Sequence, residues 1–278
     1  MARFDLRVMA MRANPGRRKR DVTMRDIVPP STFATNLYQR AYQPIVRHWE
    51  AAIPRIMASY TRTLASMTTD APADIQADID GTADSFLRLL LELLPELSDF
   101  VLRTEAWQRG KWRGAVLSAT GVDLATLLGP ADVRETLQAV IARNTALMRD
   151  LSSQAQSRVS DAVFRGLTER QPADDVAREL REAVGLSRDR ARRVASDQMQ
   201  KLSSALADER QREAGIEQVE WRSSRKKHPR KHHEARNGKL FYLNSRKAVD
   251  GSETVEAGDW VGQPPYCGCR TLAHITFD

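Results

Sequence analysis

The sequence predicts a mainly α protein: an elongated helical body and a long helix that leads into a small C-terminal α+β module. Three observations predict this fold class. Apolar residues recur at helical spacing over much of residues 31–214, Gly215 follows the most regular of these stretches, and short β-prone runs appear after it. We therefore divide the chain into a basic N-terminal arm (1–30), a helical body (31–186) and a C-terminal module (187–278).

Composition excludes several classes of protein. The 278 residues carry 43 Lys+Arg against 36 Asp+Glu, a net charge of +7, with 41% hydrophobic residues, so the chain is neither disordered throughout nor an integral membrane protein. The longest apolar stretch, residues 86–97, contains Arg88, Glu92 and Glu96 and cannot span a bilayer. The first residues lack an apolar core with a cleavage site, so we expect no secretory signal. Two cysteines cannot form a disulfide framework, which favours the reducing cytoplasm as the place of synthesis.

The N-terminal arm is rich in basic residues. Pro15-Gly16 and Pro29-Pro30 should break any helix there, and we expect a tail that either stays mobile or lies along a partner. Its cations face only three acids and are Arg3, Arg7, Arg12, Arg17, Arg18, Lys19, Arg20 and Arg25.

The helical body begins with an apolar stripe that includes Leu37, Ala41 and Ile45. Pro44 and Pro54 should kink or split that helix. A second helix is expected from about residue 72 to 94, ended or bent by a proline and continued to about residue 107. The residues that should end or interrupt helices in this part of the body are Pro95, Gly110, Gly114, Gly121 and the Gly129-Pro130 pair, and Asp132 should cap the following helix.

The long helix is predicted over residues 187–214. A short helix should end at Gly185, and Ser187 should cap the long one, which at 1.5 Å per residue is roughly 42 Å in length. Gly215 stands where a C′ glycine belongs. Strands are expected at Gln218–Arg222, Lys239–Leu243 and Arg270–Thr276.

A dense basic run lies in the module, where seven basic residues between positions 222 and 236 face one acid, Glu234. Such a density is typical of a surface that binds phosphate or an acidic protein face, although a solvated loop has the same composition. The candidate residues for binding nucleic acid or another polyanion are Arg17, Arg18, Lys19, Arg20, Arg225, Lys226, Lys227, Arg230 and Lys231.

Histidines and cysteines suggest a metal site in the same module. Two imidazoles and two thiolates, from His228, His233, Cys267 and Cys269, would complete a tetrahedral structural zinc site, and a module of about 60 residues would gain most from one. The single residue between the cysteines is a tighter spacing than zinc sites usually have. Thiols that only pack in the core are the alternative.

The order of motifs in the last third resembles the phage Mu F-like family of minor head proteins. The resemblance is carried by Arg190-Ala191, the run from Val194 to Gln198, Lys201-Leu202, Ala214-Gly215-Ile216, Trp221-Arg222-Ser223-Ser224, then Arg230, His233, Asn237-Gly238, Phe241, and finally Pro264, Pro265, Tyr266, Cys267, Cys269 and Arg270-Thr271. It is clear over residues 187–278 and weaker back to about Trp112. The chain departs from the family at Lys226, Gly268 and His228, which replace an Asp and two Arg.

The resemblance implies a structural protein without catalytic residues. Its expected place is the head or portal vertex of a tailed bacteriophage, in several copies, after assembly in the host cytoplasm. Its expected partners are the portal protein, the major capsid protein and packaged double-stranded DNA bound without sequence preference, and no membrane. The alternative is a metal-dependent nuclease that uses the His/Cys cluster, with His233 as base or ligand. A free DNA-binding regulator is disfavoured because no helix-turn-helix signature is present.

Roles inside the module also follow from the residues. Trp221 is large enough to anchor the module's core against the long helix. Arg230 and His233 are expected to hold the turn at residues 264–269 by donating hydrogen bonds to its carbonyl oxygens. Together with Gly238, Cys267 and Cys269 these residues form the set of structural motif positions.

Overall fold

A computed structural model describes residues 2–16, 18–66, 72–224 and 226–277. The helices are α1 (Leu6–Ala13), α2 (Ser31–Leu37), α3 (Gln43–Ser66), α4 (Pro72–Thr120), α5 (Arg134–Glu169), α6 (Ala173–Glu213) and α7 (Lys231–Ala235). The strands are β1 (Asp21–Thr23), β2 (Gln218–Arg222), β3 (Leu240–Tyr242) and β4 (Arg270–Thr276). The predicted mainly α fold with a small α+β module is confirmed. None of the helices in these ranges combines the length and apolar character that crossing a bilayer requires.

Two compact units share the chain. Unit 1 consists of Met1–Phe33, Val101–Val140 and Asp197–Asp278, and unit 2 of Ala34–Phe100 and Ile141–Ser196. Helices α4, α5 and α6 therefore each contribute residues to both units. The units interleave along the chain, whereas the sequence predicted three consecutive segments.

Unit 2 is a helical unit whose core is fixed by hydrogen bonds from buried aromatic residues of α3 and the turn before it. Tyr42 donates to Asn144 Oδ1 at 2.7 Å, and Trp49 Nε1 donates to the Ser152 hydroxyl at 3.0 Å. Buried polar groups are costly unless they are paired, so these bonds fix the register of α3 against α5.

The prolines of the helical body interrupt helices less than predicted. A π-helical turn at Tyr38–Tyr42 precedes α3, and the Gln43 N–H donates to Tyr38 O, which accommodates Pro44 without ending the helix. Both α3 and α4 continue through Pro54 and Pro95. Each of these two prolines is exposed, so water can reach the carbonyl left without an N–H partner.

Helix ends were also predicted in places where the chain stays helical. Helix α4 continues through Gly110 and Gly114 and ends only before Gly121. Helix α6 runs without a break through Gly185, at a cost of about 1 kcal/mol relative to alanine. Ser187 does not cap a helix, because it is buried and its hydroxyl donates to Ala183 O, one turn earlier.

The end of α6 is as predicted. Gly215 has φ 68°, a left-handed conformation that favours glycine. The Gly215 N–H donates to Arg212 O and the Ile216 N–H donates to Gln211 O. This pair of bonds is a Schellman motif, which satisfies carbonyls at the helix end and turns the chain into β2.

Unit 1 contains a four-stranded antiparallel sheet with strand order β1-β4-β2-β3. The three strands predicted for the module are present, with β3 shorter than predicted by one residue at each end. Strands β2 and β4 pair with Trp221 opposite Thr271. Along β2, Val219 and Trp221 are buried. Gln218, Glu220 and Arg222, which alternate with them, are partly exposed, so one face of the strand lies in the core.

The N-terminal arm is part of the fold of unit 1, which corrects the expected mobile or partner-bound tail. Strand β1 pairs with β4, with Val22 opposite Ile275. Leu6 at the start of α1 is fully buried in the core of this unit. The Asp26 carboxylate accepts two hydrogen bonds of 2.7 Å from Arg270. A paired strand, a buried apolar residue and a bidentate ion pair hold the segment in place.

Candidate functional site

The site is built on an aromatic core around Trp221, which is 1% exposed. Its ring centroid lies 5.1 Å from that of His233, 5.8 Å from Phe241 and 5.7 Å from Trp260. Trp221 is thus buried at the centre of an aromatic cluster. The hydrogen bond from this cluster to α6 comes from Trp260, whose Nε1 donates to Asp208 Oδ2 at 3.3 Å. The cluster fixes the ring of His233, which is 2% exposed.

Two tight turns connect the elements that position His233. After α7, Gly238 adopts φ 81° and its N–H donates to Trp221 O at 2.8 Å. Asn237 Oδ1 accepts a 2.9 Å hydrogen bond from the Ser223 N–H. These bonds tie the end of α7 to the end of β2, which explains why the motif places an Asn-Gly pair at this distance from Trp221.

The second turn, residues 264–269, carries both cysteines. The Cys267 N–H donates to Pro264 O at 3.1 Å, and Tyr266 has φ 59°. The Tyr266 N–H donates to Asp197 Oδ1 on α6 at 2.5 Å. Cys267 and Cys269 are each 3% exposed and are free thiols. The turn therefore presents two buried sulfurs on one side.

His233 meets these sulfurs directly. Its Nδ1 lies 3.7 Å from Cys267 Sγ and 3.5 Å from Cys269 Sγ. The prediction that His233 would bond to carbonyl oxygens of the turn is wrong, because its ring faces the sulfurs instead. Arg230 does behave as predicted and donates from Nη2 to Pro265 O at 3.0 Å.

A carboxylate fixes the other side of the His233 ring. Its Nε2 lies 2.9 Å from Asp259 Oδ1, so this nitrogen donates to the carboxylate and Nδ1 faces the sulfurs. Arg236 Nη1 donates to Asp259 Oδ2 at 2.6 Å. Burial acts to raise the pKa of Asp259, but hydrogen bonds from Arg236 and from His233 and His232 outweigh it, and the pKa lies well below its ordinary value.

The two thiols differ in acidity. A hydrogen bond from Cys269 lowers the pKa of Cys267 to about 5, with further help from the backbone N–H groups of Gly262 and Cys269. The same hydrogen bond, with burial, raises the pKa of Cys269. The hydrogen bond between the two sulfurs therefore shifts their pKa values in opposite directions, that of Cys267 downward and that of Cys269 upward.

Three donor atoms that could bind a metal thus come together, namely His233 Nδ1 and the two sulfurs, which all lie within 4.8 Å of one another. His228 is not in this group, although it is exposed and lines the same cleft, together with Lys226. The structure therefore brings together three of the four residues that the sequence suggested for a metal site, and His228 lies outside this group.

The cleft beside the sulfurs is bordered by cations. Lys226 donates from Nζ to Tyr266 O at 2.6 Å, so it supports the cysteine turn. Arg230 contacts the same turn at Pro265 O. The two cations thus bind turn carbonyls and still leave exposed side chains at the surface.

The predicted polyanion-binding residues lie at the surface wherever the structure describes them. Those that are exposed are Arg18, Lys19, Arg20, Lys226, Lys227, Arg230 and Lys231. Arg17 and Arg225 lie outside the described residues. The exposed residues named here all belong to unit 1.

Sequence reasoning missed Asp259 and Arg236 as members of the site. Arg236 also donates from Nε to Glu253 at 2.9 Å, and its guanidinium lies 5.2 Å above the Trp221 ring. Arg236 was counted only as part of the basic run, while Asp259 stands 26 residues after His233 in a loop without periodicity. A lone acid at the end of the short 3₁₀ turn Ala257–Asp259 was the available signal.

The candidate site lies within a segment of the chain that matches a known protein family. Residues 156–272 match the family described as Phage Mu protein F like protein, which confirms the resemblance seen in the sequence and extends it upstream of residue 187. The similarity to this family is confined to residues 156–272, a segment that contains α7, both turns and both cysteines.

A curated relative gives a partial match. The chain is 28% identical over 153 residues to an uncharacterized protein of Haemophilus influenzae, covering 54% of this chain and 34% of that protein. The matched part thus spans about a third of the relative's length. No solved structure matches the chain.

Proposed function

We propose that this chain is a minor head protein of a tailed bacteriophage, placed at the portal vertex, where it assists head assembly, DNA packaging or genome delivery. The observation that carries the proposal is the phage Mu F-like match over residues 156–272. Its partners in this role are the portal protein, the major capsid protein and packaged DNA, with several copies in each particle.

The charge of unit 1 supports contact with DNA. Exposed cations follow one another at Lys226–Lys231 and again at Arg18–Arg20. Lysine and arginine that neutralise phosphates release counterions, so binding is independent of sequence and falls steeply with salt. Contacts of this kind suit a protein that meets packaged DNA of any sequence.

The DNA contact is tested by the salt dependence of binding. Lys227→Gln/Lys231→Gln removes two exposed charges and should reduce the slope of log affinity against log salt by about 2 if both contact phosphates. Lys111→Gln/Lys247→Gln removes the same charge from two other exposed positions of unit 1 and should leave the slope close to that of the unaltered chain. Equal slopes for the two double variants would contradict a DNA contact at Lys227 and Lys231.

A nuclease assay separates a structural role from an enzymatic one. The full chain is incubated with DNA in Mg²⁺, Mn²⁺ or Zn²⁺, and the proposal expects intact DNA in all three. Cleavage that is abolished by His233→Ala would replace the structural role with metal-dependent hydrolysis.

The head role is tested in infected cells by looking for the chain in purified particles and in assembly intermediates. Detection in either fraction, and defective heads when its gene is interrupted, are the expected results. Consistent absence from both fractions would end the proposal.

A further inference from the structure

We propose that His233, Cys267 and Cys269 bind one zinc ion through Nδ1 and the two sulfurs. This inference concerns the module alone and does not depend on the proposed head role. Zinc bonds of about 2.3 Å to sulfur and about 2.0–2.1 Å to nitrogen, at tetrahedral angles, place the nitrogen and each sulfur about 3.5–3.6 Å apart. The distances in this structure are 3.7 and 3.5 Å. Both nitrogen–sulfur separations therefore match those that a shared zinc ion would impose, and all three donor atoms lie within 4.8 Å of one another.

The two sulfurs share one imidazole nitrogen. Both are buried and stand at nearly equal distances from Nδ1, and Cys269 also forms a hydrogen bond with Cys267. A cation between the three atoms would be bound by all of them at once.

The surroundings of His233 match those of a metal-bound histidine. Histidine ligands usually donate their other ring N–H to a carboxylate, which selects the tautomer and orients the ring. Asp259 does this at 2.9 Å and is itself held by Arg236 at 2.6 Å. Because Arg236 already neutralises Asp259, the carboxylate serves to orient His233. The proposed zinc ligands are Nδ1 and the two sulfurs, on the other side of the ring.

The fourth coordination position faces the cleft. That cleft is lined by Ser223, Lys226 and His228 beside the three donors. His228 lies outside the group of atoms within 4.8 Å of one another, so we assign the fourth position to solvent rather than to His228. The described residues that line the cleft include no carboxylate that could take a proton from a bound water, in agreement with a metal that stabilises the turn.

The zinc content of the full chain tests the proposal. The chain is produced without a histidine tag, purified in reducing buffer, passed through a metal-free column and analysed for zinc by mass spectrometry. We expect one zinc ion per chain, before or after reloading with zinc sulfate. Cys267→Ser, Cys269→Ser and His233→Gln should each lose it.

Matched controls separate metal binding from general charge effects. His232→Gln alters the neighbouring exposed histidine, whose Nε2 faces Asp259 at 3.3 Å and not the sulfurs, and it should keep one zinc ion. His228→Ala should also keep it, and loss of zinc there would overturn the three-residue assignment.

A variant that fails to fold would also lose zinc, so the site is tested as well by cobalt binding to the unaltered chain. Co²⁺ in this site should give the intense near-ultraviolet absorption of thiolate ligands together with the visible bands of a tetrahedral ion. An unaltered chain that retains no zinc after reloading and shows no thiolate-to-cobalt absorption would overturn the proposal. So would zinc that is retained by folded variants of both cysteines.

Discussion

Asp208 gives a prediction whose size can be worked out from the structure. This carboxyl group lies on α6, where Trp260 Nε1 donates to Oδ2 and the Thr271 hydroxyl contacts Oδ1, both at 3.3 Å. Burial raises its pKa from 3.8 to about 6, against the opposing effects of Arg212 and of these two hydrogen bonds. The folded chain therefore keeps a proton on Asp208 at pH values where the unfolded chain has lost it.

The sign and magnitude of the pH dependence follow. Between about pH 4 and pH 6 the folded state binds more protons than the unfolded state, so the free energy of unfolding falls as the pH rises. Because one pKa unit corresponds to 1.36 kcal/mol, the shift from 3.8 to about 6 amounts to about 3 kcal/mol, all of it lost above pH 6.

Asp208→Asn removes this titration while preserving the contacts. The amide oxygen can accept from Trp260, and the amide nitrogen can donate to the Thr271 hydroxyl, which donates in turn to Gln211 Oε1 at 3.3 Å. We expect the variant to gain up to about 3 kcal/mol relative to the unaltered chain when the pH rises from 4 to 7.5.

Urea denaturation at half-unit steps from pH 4 to pH 8 measures this difference, and subtraction cancels titrations that the two proteins share. Asp161→Asn, which removes an exposed carboxylate of α5, controls for the loss of one negative charge. A difference between Asp208→Asn and the unaltered chain that stays constant over this range would refute the reasoning.

Three further stability predictions use the same denaturation assay. Trp221→Ala should cost about 3–5 kcal/mol because it empties the centre of the aromatic core, and Trp107→Ala, at a half-buried position, should cost less; equal costs would contradict the anchor role. Gly215→Ala should cost about 1 kcal/mol or more, since its φ of 68° strains any side chain, and a neutral or stabilising effect would argue against the Schellman end of α6. Arg210→Met should cost about 3–5 kcal/mol, because Arg210 is fully buried and its loss weakens the pairing of buried Glu105, 2.7 Å away; an unchanged midpoint would show that the pair contributes nothing.

Features that depend on local chemistry could be predicted from the sequence. The end of α6 was predicted because only a left-handed residue fits there and glycine is the residue that adopts it at low cost. The three strands of the module were predicted because they are short runs of β-prone residues between turn residues. His228, His233, Cys267 and Cys269 were predicted as a group because their chemistry is distinctive and their number is small, and the structure brings the last three together.

Contacts between residues far apart in the sequence could not be predicted. Strand β1 has three residues and becomes a strand only because β4 offers it an open edge about 250 positions later. The basic composition of the arm therefore predicted a tail. Likewise, Gly185 lowers the local helix propensity, but the contacts of the buried residues Val184 and Ala191 on either side stabilise the helix by more than this cost. Asp259 entered the site through tertiary structure alone.

We propose above that unit 1 joins macromolecules at a phage head and does not transform a substrate. The most direct measurement is the position of this chain in native particles, determined by electron cryomicroscopy of the portal vertex with cross-linking to identify neighbours. The account predicts density for the chain beside the portal, with Lys227 and Lys231 toward DNA. Density confined to sites remote from the vertex, with these lysines turned away from DNA, would contradict it.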